Sequence, residues 1–93
     1  MDFDWDPEKA KGNLAKHGVS FDEAKTIFYD LLSATIEDRD HSIHEQRFIT
    51  IGWSTAGRLL TVSHLDQDGR IGIINARLAS AVERKRHEEQ GHD

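Results

Sequence analysis

Three arginines and a histidine in the second half of the chain are the residues best suited to chemistry. Arg47, Arg58, Arg77 and His64 sit in or beside β-rich runs separated by short turns. If Trp53 and Arg58 close one hairpin, Arg47 faces His64 and Ile51 faces Leu60. If Leu65 and Arg70 close the next, Arg58 faces Arg77 and Leu60 faces Asn75. One sheet face then carries Arg47, Arg58, His64, Asn75 and Arg77 around Ile49, Ile51, Leu60, Val62 and Ile73. The other carries Phe48, Thr50, Leu59, Thr61, Ile74 and Ala76. A bulge in either turn breaks this arrangement. An apolar face rimmed by arginines suits a phosphodiester. Guanidinium forks neutralise charge on phosphate, and a histidine or glutamate moves the proton. The plainer reading of the same residues is arginines that end strands and reach into solvent.

A second cluster is Asp40-His41-Ser42-Ile43-His44-Glu45. Two histidines and two acids raise a metal site, but the helical His-Glu-x-x-His spacing is absent. What stays open is a solvated polar loop or a loop histidine beside the phosphodiester face. His17 closes a helix, where the dipole favours a cation. His87 follows Glu83 by four residues and pairs with it along a helix. Trp5 and Trp53 read as core anchors or exposed partner contacts, with core packing the simpler role for Trp5. The chain has no glycine-rich phosphate loop and no nucleophile elbow.

The elements that must position these groups follow from caps and periodicity. Residues 2–5 alternate weakly, as a short edge strand does. Asp6-Pro7 reads as an N-cap with proline at the first helical position, and Gly18 as the residue past the end, giving a helix over 7–17. Ser20 and Glu23 form a capping box, and Phe21, Ala24, Phe28 and Leu31 continue a helix over 21–31. Strands are expected at 34–38, 46–53, 58–65 and 70–77, with turns at Ser54–Gly57 and Asp66–Gly69. A helix over 78–90 closes the chain, with Leu78 and Val82 on one face and Glu83, Arg84, Lys85, Glu88 and Glu89 solvated. The sum is an α+β fold: two N-terminal helices, an antiparallel β-meander of about four strands and a C-terminal helix, with the helices against one sheet face.

Composition bounds the function. Ninety-three residues make a single domain over 1–93 with a thin core. There is no cysteine, hence no disulfide and no thiolate metal site. No apolar run approaches a membrane span and no signal peptide opens the chain, so a cytoplasmic location is expected. The net charge of −5 argues against non-specific nucleic-acid binding. The charge is also uneven. The first 45 residues hold 11 acids and 5 bases; the rest hold 6 acids and 7 bases. An anion site belongs in the second half. The acidic first half suits a basic partner, with Asp2, Asp4 and Glu8 as contacts.

Beyond these readings, three blocks in order resemble the BrnT family of toxins. The opening carries Phe3-Asp4-Trp5-Asp6-Pro7-Glu8-Lys9-Ala10, Asn13, Lys16-His17-Gly18-Val19-Ser20-Phe21 and Glu23-Ala24. The middle carries Asp40-His41-Ser42 with Glu45, Arg47 and Gly52. The close carries Ile73-Ile74-Asn75-Ala76-Arg77, Ala79, Glu83 and Arg84. The resemblance implies a RelE-like fold. It also implies a ribonuclease that inhibits translation and is neutralised by a cognate ribbon-helix-helix antitoxin, with operator DNA met only through that antitoxin. Such enzymes cleave RNA without metal or other cofactor, by attack of the ribose 2′-hydroxyl on the adjacent phosphate. On that basis Arg47 and Arg77 steady the phosphate, and His41, Glu45 or His64 carries the proton; His64 rests on strand parity alone.

This chain departs from the pattern at Gly72, where the resemblance leads one to expect arginine. It departs again at Asn75, in place of serine, and at His87, in place of tyrosine. If the missing arginine is catalytic, the chain is a weakened toxin. The alternative function is then a catalytically weak binding module acting in an antitoxin repressor complex.

Overall fold

A computed structural model describes residues 1–42 and 44–90. Among them the elements run β1 (Asp2–Asp4), α1 (Pro7–His17), α2 (Phe21–Lys25), a 3₁₀ turn (Thr26–Tyr29), β2 (Ala34–Glu37), a 3₁₀ turn (Arg39–His41), β3 (Arg47–Trp53), β4 (Leu59–Gln67), β5 (Arg70–Leu78) and α3 (Ala81–Gln90).

The caps form as their residues dictate. The Asp6 carboxylate accepts the Glu8 N–H at 2.9 Å, and Pro7 opens α1. Gly18 takes φ 68° and donates its N–H to Leu14 O at 2.9 Å, a left-handed position that suits glycine. The Ser20 hydroxyl accepts the Glu23 N–H at 3.0 Å. The second helix is shorter than its periodicity suggests. The Thr26 hydroxyl bonds back to Glu23 O, and the chain tightens into a 3₁₀ turn. Asp30 then fixes its end by accepting N–H bonds from Leu32 and Trp53. Ile27 is buried in consequence, and Leu31, expected on the inner face, is 99% exposed.

The sheet has five strands, ordered β1-β5-β4-β3-β2, and it is mixed. β2 to β5 form the expected antiparallel meander; β1 adds in parallel to β5, pairing Phe3 with Ile71. The register differs from the expected one. The first hairpin loop is Ser54–Arg58, closed by Ser54 N–H to Arg58 O at 2.8 Å, so Trp53 pairs with Leu59 rather than Arg58. The second turn is only Asp68-Gly69, both at positive φ (52° and 78°), as a two-residue hairpin of the primed type needs. A bulge between Ser63 and His64 leaves Ile74 unpaired against β4. The closing helix starts later, at Ala81, because β5 runs on to Leu78.

The core lies between α1, α2 and one sheet face. Val19, Phe21, Ala24 and Ile27 pack on Leu60, Val62, Ile71, Ile73 and Ala76. Asn13 is buried with them and ties α1 to β5. Its amide donates to Val19 O (2.9 Å) and Ala76 O (2.8 Å) and accepts from Ala76 N–H (3.0 Å). Trp5 packs edge-on against Phe21 at this core's margin, as expected of an anchor. The opposite sheet face is covered only in part, by α3.

Candidate active site

Strand pairing lays out one row of residues across the end of the uncovered face. Asp38 bonds Arg47 through its backbone; Arg47 pairs with Leu65, Leu65 with Gly72, and Gly72 with Asp4. Directly paired residues share a face, so these side chains stand side by side. At the first end of the row, the loop after β2 folds back on β3. The Ser42 hydroxyl accepts the Arg47 N–H at 3.0 Å and donates to Asp38 O. That knot brings His41, His44, Glu45, Arg47 and Asp40 around one pocket of about 280 Å³.

Within it, the Asp38 carboxylate meets His41 Nδ1 at 2.9 Å. Asp38 is mostly buried and His41 mostly exposed. A carboxylate on Nδ1 fixes the imidazole tautomer and leaves Nε2 facing solvent as a proton acceptor. Arg47 lies 3.5 Å from Glu45, and its Nε is buried with no hydrogen-bond partner among the described residues. The Arg47 guanidinium and the oriented His41 imidazole line one pocket, a cation and a proton acceptor of the kinds that suit a phosphodiester. Asp38 was missed from sequence, although an acid three residues before His41 is a signal that could have found it.

The structure thus gathers His41, Glu45 and Arg47. It does not bring Arg77 or His64 to them. Arg77 shares Arg47's face but pairs with Thr61, four residues along β4 from Leu65, about 13 Å away along the strand. Its guanidinium donates twice to Glu83, at 2.7 and 3.0 Å. Glu83 also accepts from Thr61 and from the Ser80 N–H at 2.8 Å, while its own N–H bonds the Ser80 hydroxyl. Glu83 therefore closes a capping box and clamps α3 to the sheet, which corrects its expected solvation. The Arg77 bonds hold the Glu83 carboxyl down at about 2. Arg84 lies over Trp53, 5.2 Å from the ring centre.

His64 lies on the helix side of the sheet, opposite Arg47, because the longer first loop shifts the parity by one. It is buried between Phe28 and Phe48, and its Nε2 meets the Thr50 hydroxyl at 2.7 Å. Burial lowers its pKa from the ordinary value of 6.5. Arg58 is on that side too, bonded to both carboxylate oxygens of Glu23 and to Gly18 O. Of the expected arginine face, then, Arg47, Asn75 and Arg77 keep company and Arg58 and His64 do not.

The three departures also have places. Gly72 leaves the row without a side chain. Asn75 pairs with Ser63 on the uncovered face. His87 is buried at the wall of a groove of about 260 Å³ between α3 and Ile36, Ile49 and Ile51. Among the described residues, no group of three or more His, Cys, Asp or Glu side chains is arranged to hold a metal.

Comparison with known proteins agrees with this architecture. The crystal structure of the Brucella abortus ribonuclease toxin BrnT, at 1.1 Å resolution, superposes with a TM-score of 0.66 over 86% of this chain and 97% of that one. At 23% identity, that likeness establishes a common fold. No curated protein matches the sequence. The family model described as "Ribonuclease toxin, BrnT, of type II toxin-antitoxin system" matches residues 5–83, which takes in the middle block, all but Phe3, Asp4 and Arg84 of the other two, and the His41–Arg47 pocket. The chain belongs to the BrnT family of ribonuclease toxins.

Proposed function

We propose that residues 1–93 act as one RelE-like toxin domain in the cytoplasm, an endoribonuclease that cuts RNA without a metal and so inhibits translation. Its activity is blocked by a cognate antitoxin of the ribbon-helix-helix type, through which alone it meets operator DNA. The observation that carries this reading is the Asp38–His41 pair in one pocket with Arg47. His41 Nε2 takes the proton from the ribose 2′-hydroxyl as that oxygen attacks the phosphate. Arg47, steadied by Glu45, stabilises the added negative charge on the phosphate oxygens. His44, lining the same pocket, returns a proton to the leaving 5′-oxygen. Arg77 and His64 take positioning roles in this scheme: one holds α3 and the other fills the core.

Purified chain, freed of antitoxin, should cut RNA equally well in a chelator. His41→Ala should lower the rate by roughly 10²- to 10⁴-fold, as expected for loss of a general base, without unfolding the protein. Full activity in His41→Ala overturns the assignment. A second reading is supported by Gly72 and by the engagement of Arg77 with Glu83. With two expected phosphate ligands missing or occupied, the chain would be a catalytically weak module working mainly in a repressor complex. Normal growth and intact RNA on induced expression, alongside tight antitoxin binding, select that reading.

A further inference from the structure

The far end of the His41–Arg47 row holds a feature that phosphate chemistry does not explain. A cavity of about 370 Å³, with Gly72 in its wall, opens between Leu65 and Asp4. Its rim is Asp4, Gln67, Asp68 and Arg70. A β-carbon at Gly72 would lie 3.3 Å from Asp4 Oδ1, a tight contact, and 3.8 Å from Leu65 Cβ, so the glycine lets the Asp4 carboxylate sit at the cavity wall. Gly72 is two strands from Arg47 in the same row, about 10 Å away. That is within the span of one nucleotide.

We propose that this cavity is a base subsite that receives a guanine next to the cleaved phosphate. The inference rests on the RNA-cleavage reading above and deepens it. The volume lies within the range of small-ligand pockets. Leu65 offers an apolar surface for a base to lie on. Arg70 Nη1 and Asp4 Oδ2 are 3.4 Å apart, and both side chains are exposed, so a donor and an acceptor stand adjacent and reachable. The pairing edge of guanine presents one acceptor, O6, beside two donors, N1–H and N2–H. Arg70 donates to O6 and the Asp4 carboxylate accepts the two N–H groups. The rim as a whole holds two carboxylates and one guanidinium, with the Gln67 amide beside them, so it is rich in acceptors. That suits guanine over cytosine, whose edge has one donor and two acceptors. Adenine and uracil each lack the paired donors. A site built on hydrogen bonds rejects a base that leaves its groups unpaired.

The test uses two independent measurements. RNA oligonucleotides that differ at one base report which neighbour is preferred at the cut. Titration of the four nucleoside 5′-monophosphates into the His41→Ala protein, followed by NMR, reports binding without cleavage. Guanosine monophosphate should bind roughly ten- to a hundred-fold more tightly than the others. Asp4→Asn and Arg70→Gln should each collapse that ratio and the guanine preference in cleavage with unchanged thermal midpoints, and Gly72→Val should do so by crowding Asp4. Equal affinity for all four nucleotides, or a preference untouched by all three substitutions, overturns the proposal. Selective guanosine monophosphate binding by a wild-type chain that cuts no RNA upholds the subsite and overturns the nuclease. Cleavage with no base preference does the reverse.

Discussion

Asn13 shows how much one side chain can hold. Its three bonds satisfy backbone groups of two separate segments inside the core. Asn13→Ala strands those groups, so stability should fall by about 2–4 kcal/mol in urea denaturation; a loss under half a unit would deny the cross-link. His64 sets a pH dependence. Burial keeps its imidazole neutral in the folded chain, with a pKa below 6.5, while the unfolded chain binds the proton first. Its contribution is therefore fully present above pH 6.5 and is lost as pH falls below it, with a slope of at most about 1.4 kcal/mol per pH unit. His64→Gln should flatten that slope between pH 6.5 and 5. An equal slope in both proteins would place the acid sensitivity elsewhere. Neither role was legible in the residue types alone. Asn13 reads as an ordinary helix position until its partner, 63 residues away, is known. His64 reads as a reactive group until the parity of its strand puts it between two phenyl rings.

At the scale of elements, the caps were legible and the register was not. Asp6-Pro7, Ser20 with Glu23, and Gly18 each act locally, so their spelling suffices. Hairpin pairing depends on loop length to the residue, and one extra residue at Ser54–Arg58 exchanged the faces of Arg58 and His64. Asp68-Gly69 does carry its signal, a dipeptide suited to a two-residue turn, and with that turn β4 extends to Gln67. The close approach at Gly52 left no such trace. A β-carbon there would lie 3.0 Å from Ser33 Cβ and 3.2 Å from Ile27 O, so Gly52→Ala should cost about 1–3 kcal/mol by pushing the 3₁₀ turn off β3. Helix α3 contributes nothing to the apolar core cluster and is held by polar contacts. Glu83→Gln should therefore release α3, seen as faster amide exchange over 81–90, while the sheet keeps its protection. Acid should act in the same way as pH falls from 4.5 toward 2, where Glu83 takes its proton. Unchanged exchange in Glu83→Gln would mean that another contact holds the helix.

At the scale of the molecule, the candidate pocket draws on both halves of the chain: Asp40, His41, His44 and Glu45 from the acidic first 45 residues and Arg47 from the rest. Membership in a type II toxin family implies an antitoxin partner. Asp2 and Glu8 are exposed near the start of the chain, away from the His41 pocket. If that surface meets a basic segment of the antitoxin, Asp2→Lys with Glu8→Lys should weaken the complex about tenfold at low salt and less at high salt. Affinity unchanged at low salt removes the idea. No helix of the described residues is long and apolar enough to cross a membrane.

The parallel pairing of β1 with β5 has a consequence in time. Its partners lie 68 positions apart, whereas the hairpins β3–β4 and β4–β5 join near neighbours. Local pairings close early, and distant ones must wait for the loop between them to be gathered. During synthesis the first strand can find its place only after residue 72 has emerged. Asp4 reaches Gly72 at that moment and not before. The row that runs from Asp38 to Asp4 is thus completed only when β5 has been made, and a chain released before that would carry the Asp38–His41 pair without the rest of the row.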